Sequence, residues 1–195
     1  MSVEDHENIA ANDPRSASLP VAVITVSDTR TRETDRGGDR LEALLTDAGH
    51  VVRDRCLVPD DPEAIETAIQ TGLANPDLRA IFLTGGTGLA PRDGTVEVVR
   101  RHLRIEMPGY GELVRRLGVD EIGPAAILGR AIAGVADRPL SLAPAATAVL
   151  IFTMPGSVHA VASATSGVIL PILAHAAWQV AGGQTPPPTK TSEDR

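Results

Sequence analysis

Aromatic side chains are scarce in this 195-residue chain, at 2% of its residues. Proteins that bind single-stranded nucleic acid stack the bases on aromatic rings, so this composition argues against such a binder. The net charge of −7 and the absence of a basic run argue equally against a protein that neutralises a phosphate backbone. We therefore expect no nucleic-acid partner, and a core of aliphatic side chains drawn from the 43% hydrophobic content.

Lysine and cysteine occur once each, as Lys190 and Cys56. Because Lys190 lies in a Pro-rich C-terminal segment, mechanisms that need an ordered lysine are disfavoured, such as a P-loop or a Schiff base. One cysteine excludes an intrachain disulfide and a thiolate zinc site, and the histidines lack metal-ligand spacing. The first 18 residues are acidic and contain no apolar segment. We therefore expect no signal peptide and a cytoplasmic location.

Asp, Glu, Lys and Arg are absent between Pro139 and Thr189. Within this stretch, Val158–Gly183 is long enough to span a bilayer. Polar residues and two histidines interrupt it, and no cationic flank follows promptly. A helix without charge on any side is normally buried on all sides. We therefore expect no membrane span, but a helix that self-association would help to cover.

The chain divides into three predicted parts. Residues 1–19 are predicted to form a disordered acidic arm, 20–181 a folded domain, and 182–195 a flexible Pro-rich tail. Strands are predicted over Val21–Ser27, Val51–Val58, Arg79–Thr84 and Thr147–Thr153. Helices are predicted over Asp39–Ala48, from Pro62, over Thr95–Leu103, Glu112–Leu117 and Pro124–Ala133, and from Ser157 onward, the last with a bend or break near Pro171. This alternation predicts an α/β fold with a mostly parallel central sheet between two helix layers, a three-layer α/β/α sandwich.

The most informative segment, Leu83–Glu97 (LTGGTGLAPRDGTVE), follows a predicted strand and opens a helix. Glycines allow the backbone to approach an anion closely, and successive amides form an anion-binding nest. The helix N-terminus adds a partial positive charge. The spacing matches neither a Walker A loop nor a dinucleotide-binding fingerprint. The alternative is a plain tight turn before a capped helix.

Two aspartates follow strands near this loop. Asp93 either caps the helix at Thr95, pairs with Arg92, or faces a phosphate, and the last arrangement requires a cation such as Mg²⁺. Asp61 is the expected N-cap of the next helix, which leaves Asp60 free. Because ligands bind at the carboxyl ends of parallel strands, Asp60 and Asp93 are candidate Mg²⁺ ligands and catalytic residues for phosphoryl or nucleotidyl transfer.

Three further features point to the same edge of the sheet. Pro155–Ser157 follows a strand and opens a helix with Ser157 as the expected N-cap, so it is either a second phosphate loop or a plain connection. Tyr110 either stacks on a flat ligand or packs in the core, and we favour packing. Arg130 is either an anion clamp that replaces the missing lysine or a solvated surface residue.

Six segments together resemble the MoaB/Mog family of molybdenum cofactor biosynthesis, and the resemblance covers about residues 20–180. They are TVSDTR (25–30), VPD (58–60), LTGGTGLAPRDGTVE (83–97), EMPGYGE (106–112), EIGPAAILGRAIAGV (121–135) and MPGS (154–157). The fifth segment is more similar to the MoaB branch than to the Mog branch.

The resemblance implies adenylylation of molybdopterin by ATP and Mg²⁺, with release of pyrophosphate, in a trimer or hexamer. It places the family's two key aspartates at Asp60 and Asp93. The predicted substrate- and phosphate-binding residues are Ser27, Asp28, Gly85, Gly86, Thr87, Gly88, Arg92, Thr95, Glu97, Arg130, Pro155, Gly156 and Ser157.

One departure from the family leaves alternatives open. Several members have a serine where this chain has Gly129. The rival hypothesis is therefore a non-catalytic protein that binds or carries molybdopterin in the same pathway. A third hypothesis is another nucleotide-processing enzyme on the same scaffold.

Overall fold

The computed structural model describes residues 17–139 and 148–182, in which strands alternate with helices. The strands are β1 (Pro20–Val26), β2 (Val51–Val58), β3 (Ala80–Thr84), β4 (Leu103–Glu106), β5 (Ala133–Ala136) and β6 (Val149–Met154). The helices are α1 (Arg36–Asp47), α2 (Pro62–Ala74), α3 (Thr95–His102), α4 (Pro108–Ile122), α5 (Val158–Ala164) and α6 (Leu170–Val180). A 3₁₀ turn (Gly123–Leu128) follows α4, and a π-helical segment (Thr165–Ile169) joins α5 to α6.

The six strands form one sheet in the order β2-β1-β3-β6-β5-β4. The first four are parallel, whereas β5 is antiparallel to β6 and β4 is antiparallel to β5. The predicted mostly parallel α/β architecture is therefore confirmed. Because β1, β2, β3 and β6 point the same way, their carboxyl ends meet at one edge of the sheet.

Helices cover both faces of the sheet. Alternate side chains of each central strand point to opposite faces, so each strand contributes to both layers of the core. Phe82 packs on one side with Leu41, Leu45 and residues of α4, α5 and α6. Ile81 packs on the other side with Ile69 and residues of α2 and α3. The predicted three layers and aliphatic core are present, and the few aromatic residues concentrate on the first side.

The region after α4 differs from the prediction. The helix predicted over Pro124–Ala133 is wrong, because a 3₁₀ turn covers Gly123–Leu128 and β5 begins at Ala133. Strands β4 and β5 were not predicted at all. Each has four residues, and Ala133–Ala136 contains mainly small residues with little strand preference of their own. Pairing with the buried strand β6 stabilises β5, and no local pattern records this pairing.

The C-terminal helical stretch, Val158–Val180, is long and apolar enough to cross a membrane by length and composition alone. One third of its most apolar window is buried inside the chain. The π-helical segment lies just before Pro171, which lacks the N–H that a regular turn would use. This widened turn replaces the break predicted near that proline.

Most of the predicted arm and tail lie outside the described residues. Of the arm, residues 17–19 are described, and Leu19 is fully buried with its N–H donating to His50 Nδ1. Of the tail, only Gly182 is described. The described fold therefore includes Leu19, one residue before the predicted start of the domain.

Candidate active site

The loops that follow β1, β2, β3 and β6 meet at the carboxyl edge of the sheet. The N–H of Ser27 donates to Val58 O over 2.9 Å, which joins the ends of β1 and β2. The N–H of Gly85 donates to Met154 O over 3.1 Å, and Thr84 Oγ1 donates to Pro155 O over 3.2 Å. The predicted strand-end loops are thus adjacent in space.

The glycine loop after β3 has a backbone that requires glycine at two positions. Gly85 and Gly86 have φ angles of +100° and +62°, which side chains with a Cβ rarely adopt. A Cβ at Gly85 would also overlap the carbonyl oxygen of Val26. Gly156 lies against the same loop, since a Cβ there would be 3.3 Å from Gly85 Cα. The two predicted anion-binding loops are therefore in contact.

Asp60 and Asp93 both face this glycine loop. Asp60 Oδ1 accepts from the N–H of Gly94 over 3.3 Å, and a Cβ at Gly86 would lie 2.9 Å from the same oxygen. Asp93 Oδ2 accepts from the N–H of Ala90 over 2.8 Å and would lie 2.7 Å from a Cβ at Gly88. The fold therefore brings together the two carboxylates that the sequence predicted.

The environment of Asp60 disfavours its charged form. Burial raises the pKa of the Asp60 carboxyl, and the neighbouring carboxylates of Asp93 and Asp28 raise it further, against the lowering effect of the Gly94 N–H. Asp28 also accepts from the N–H of Asp60 through its Oδ1 over 2.9 Å. Because three acidic side chains lie this close together, this edge of the sheet is electrostatically suited to a bound positive charge.

Several alternatives from the sequence are now decided. Asp61 caps α2 by accepting from the N–H groups of Glu63 and Ala64, as predicted. Of the three alternatives for Asp93, the cap of α3 does not occur, because Gly94 occupies that position without a side-chain hydrogen bond. Among the described residues, Arg92 pairs with Asp28, with 3.9 Å between Nη1 and Oδ2, and not with Asp93. Asp93 is thus available to a ligand.

The predicted cap by Ser157 is confirmed, since its hydroxyl accepts from the N–H of Ala160 over 3.2 Å. Ser27 acts similarly in the turn after β1, where its Oγ accepts from the N–H groups of Thr29 and Arg30. Tyr110 packs, as favoured: it is buried, contacts Phe152 edge-on, and donates to a backbone oxygen of β6.

The N-terminus of α3 contains a buried hydroxyl with unused hydrogen-bonding capacity. Thr95 is fully buried, and within the described residues its Oγ1 has no hydrogen-bond partner. A Cβ at Gly86 would overlap this Oγ1, so the hydroxyl lies directly against the glycine loop. An orphan hydroxyl at a helix N-terminus is a suitable donor to an anion.

Arg130 holds the glycine loop. Its Nε donates to Gly88 O over 2.7 Å, its Nη2 donates to Asp93 O over 2.8 Å, and its Nη1 pairs with Glu97. Its N–H donates to the carbonyl oxygen of the buried Thr87. Burial opposes ionisation of Glu97, yet the bond from Arg130 prevails and lowers the pKa of that carboxyl. Arg130 and Glu97 therefore brace the loop, a role that the sequence did not indicate.

The donor set fits a hard divalent cation that also takes oxygens from a ligand. Within residues 17–139 and 148–182, no group of three or more His, Cys, Asp or Glu side chains could hold a metal ion alone. Mg²⁺ is typically held by one or two carboxylates together with substrate phosphates and water. The two oxygen-bearing side chains beside a glycine loop meet that description, whereas zinc would require nitrogen or sulfur ligands.

Three cavities surround the dipeptide Gly129-Arg130. One of about 360 Å³ is lined by Asp93, Gly94 and Arg130. A second of about 320 Å³ is lined by Gly129, Arg130 and Arg115. A third of about 100 Å³ also contains Arg115, and it reaches Pro155 and Ser157. The space around this dipeptide is thus divided between the side of Asp93 and the side of Ser157.

Two residues that the structure places here were not predicted. The Gly94 amide contacts Asp60, and the Asp-Gly pair before a helix was the only signal for it in the sequence. Arg115 lines two cavities, yet nothing distinguishes it in the sequence from the other arginines of the chain.

Comparison with known proteins agrees with this architecture. Residues 22–175 match the family described as "Probable molybdopterin binding domain". Molybdenum cofactor biosynthesis protein B of Halalkalibacterium halodurans is 43% identical over 176 residues, covering 90% of this chain and 95% of that protein. A crystal structure of a molybdenum cofactor biosynthesis protein B superposes with a TM-score of 0.77 at 38% identity, over 85% of this chain and 97% of that chain. MoaB from Thermus thermophilus superposes with a TM-score of 0.70 at 34% identity, over 84% of this chain and 97% of that chain.

The fold and the site define an α/β protein with two carboxylates and two glycine-containing loops at the carboxyl edge of a mostly parallel sheet. The chain belongs to the MoaB/Mog family of molybdenum cofactor biosynthesis proteins, and the resemblance predicted from its motifs is confirmed.

Proposed function

We propose that the protein catalyses the Mg²⁺-dependent adenylylation of molybdopterin by ATP, with release of pyrophosphate. The observation that carries the proposal is the placement of Asp60 and Asp93 against a glycine loop and an uncapped helix N-terminus. Carboxylates beside an anion site are unfavourable unless a cation joins them to phosphate oxygens. A nucleotidyl transfer needs this combination.

The chain's own groups would act by positioning and electrostatics. Asp60 and Asp93 would hold Mg²⁺, which neutralises phosphate charge when bound. The amides of Gly86–Gly88 and the Thr95 hydroxyl would donate to one set of phosphate oxygens, and the loop at Ser157 to another. Arg130 would keep the glycine loop in place. No protein nucleophile is needed, because the terminal phosphate of the pterin can attack the α-phosphorus of ATP.

The proposal is tested by measuring pyrophosphate release with ATP, Mg²⁺ and freshly prepared molybdopterin. We expect release that requires the pterin and is lost in Asp93→Asn, which keeps an oxygen for the Ala90 N–H. Release without pterin would support another nucleotide-processing enzyme. Tight binding of molybdopterin without any release would support the carrier hypothesis and contradict the enzymatic one.

Introducing a serine at position 129 is a second test of the carrier hypothesis. A Cβ at Gly129 would lie 3.4 Å from Ala126 O and 3.8 Å from Pro155 Cγ, which are ordinary contacts. Gly129→Ser should therefore fold normally, with a thermal midpoint within about 2 °C of the parent. If the missing hydroxyl limits the reaction, the variant should release pyrophosphate about tenfold faster. A carrier would remain inactive with serine at this position.

The acid limb of the pH profile is expected to depend on Asp60. As the pH falls through its raised pKa, Asp60 takes up a proton and loses its ability to hold a cation. The fall in kcat/KM should therefore lie above the usual aspartate pKa of about 3.9. Asp28→Asn removes one of the charges that raise this pKa and keeps an oxygen for the Asp60 N–H. The acid limb of the profile should then move to lower pH. If it does not move, a group other than Asp60 causes it.

Self-association and a cytoplasmic location belong to the same proposal. The surface of α4 and the following turn exposes large apolar side chains, among them Leu113, Ile122, Ile127 and Leu128. A trimer or hexamer would cover such a patch. No nucleic-acid or membrane partner is proposed, while other molybdenum cofactor enzymes are proposed as partners that deliver or receive the pterin.

A further inference from the structure

Arg115 differs from Arg100 and Arg130, the two arginines that line the 320 Å³ cavity with it. Arg100 pairs with Glu106 over 3.2 Å, and Arg130 pairs with Glu97. Arg115 is half-buried, and its one hydrogen bond in the described part of the chain runs from Nη1 to Gly129 O over 3.4 Å, beyond the usual range. No described carboxylate forms an ion pair with it. Its guanidinium therefore has most of its donors available.

The surroundings of Arg115 leave room for a ligand. A Cβ at Gly111 would lie 3.1 Å from Arg115 Nη1, so the glycine provides the space that the guanidinium occupies. The cavity between α4 and α5 is lined by Arg115, by small apolar side chains such as Ala160 and Ala164, and by Glu121, whose carboxylate pairs with His159. An arginine with apolar neighbours binds an anion more strongly than an exposed one, because less water competes.

The same cavity connects Arg115 to the second phosphate loop. Pro155 and Ser157 line this cavity of about 100 Å³. Gly129 and Arg115 line both this cavity and the neighbouring one of about 320 Å³. By contrast, Arg115 does not line the cavity at Asp93 and Gly94. A group that binds Arg115 therefore lies outside the Asp93 cavity, which contains one of the two proposed Mg²⁺ ligands.

We propose that Arg115 is a specificity-determining residue that binds an anionic group of the pterin substrate and not of ATP. This inference rests on the proposed function. Molybdopterin has two such groups, the dithiolene sulfurs and the terminal phosphate, and both match a guanidinium with free donors. Arg115 binds the pterin substrate, whereas Asp60, Asp93 and the glycine loop support the adenylyl transfer.

The test compares Arg115→Gln with Arg116→Gln in the full-length chain. Arg116 is exposed on the same helix, so the second variant makes the same change of charge away from the cavities. Molybdopterin is titrated without ATP by fluorescence. We expect Arg115→Gln to weaken binding about 10- to 100-fold, and Arg116→Gln to change it less than about twofold. Equal affinities of the two variants would overturn the proposal.

Two further ligands identify the charge that is recognised. If Arg115 binds the dithiolene, Arg115→Gln should still bind dephosphorylated molybdopterin more weakly than Arg116→Gln does. If Arg115 binds the terminal phosphate, the two variants should bind dephosphorylated molybdopterin equally. With unsubstituted pterin, which has neither group, both variants should match the parent. An equal loss with that ligand would indicate a damaged fold and overturn the assignment. Where turnover is measurable, KM for the pterin should rise and KM for ATP should not.

The outcomes separate this inference from the proposed reaction. A parent protein that binds molybdopterin but releases no pyrophosphate contradicts the reaction, while the Arg115 comparison still stands on binding. A parent that turns over, with equal pterin affinities in the two variants, contradicts only the role of Arg115. A parent that does not bind molybdopterin contradicts both.

Discussion

Replacing Asp60 by asparagine is expected to lower pterin-dependent pyrophosphate release at least about a hundredfold and to raise the thermal midpoint of the ligand-free protein. The first effect follows from the loss of a carboxylate that faces the glycine loop. The second follows from the raised pKa of this carboxyl, which burial and the charges of Asp93 and Asp28 produce. Asparagine keeps an oxygen for the Gly94 N–H and removes the unfavourable charge.

The stability effect has a defined pH dependence. Because the folded-state pKa of Asp60 is raised, its contribution to stability is complete below the unfolded pKa and is lost as the pH rises through the folded value. The variant should therefore gain most at neutral and alkaline pH, by about 1–3 °C in the thermal midpoint, and the gain should shrink on acidification. Thermal unfolding at pH 5 and pH 8, in buffer without Mg²⁺, measures it. A variant that is less stable at pH 8 would show that Asp60 stabilises the fold.

Replacing Gly85 by alanine is expected to destabilise the fold by about 4 kcal/mol or more. Two independent causes add at this position. The φ angle of +100° is unfavourable for any residue with a Cβ, and the added atom would overlap the carbonyl oxygen of Val26, which is backbone and cannot rotate away. Chemical denaturation of the purified variant, or its failure to accumulate in soluble form, measures the loss.

Gly109→Ala is the matched control. A Cβ at Gly109 meets no atom within 4 Å, and the residue lies in the first turn of α4, where alanine favours the helix. Its free energy of unfolding should remain within about 1 kcal/mol of the parent or rise slightly. If Gly85→Ala were as stable as Gly109→Ala, the tight approach of the glycine loop to β1 would be wrong.

The features predicted well are those with a local cause. Strands β1, β3 and β6 are apolar runs or nearly so, and β2 has apolar residues at both ends of a charged centre. The caps at Asp61 and Ser157 are short-range hydrogen bonds that the spacing reveals. The rule that parallel strands end at one edge then brought Asp60 and Asp93 together. Strand β5 and the brace formed by Arg130 escaped prediction, because each depends on partners far along the chain.

By itself, the sequence determined the α/β alternation, the helix caps at Asp61 and Ser157, the exclusion of an intrachain disulfide, and the family. Only the tertiary structure decided the site's geometry and its electrostatics. The contacts that build it join residues 71, 34 and 42 positions apart, between Thr84 and Pro155, Asp60 and Gly94, and Arg130 and Gly88. Such contacts set how deeply Asp60 is buried, which charges surround it, and which arginine keeps its donors free. Burial and distance in space have no local signature, so these properties arise only when the chain is folded.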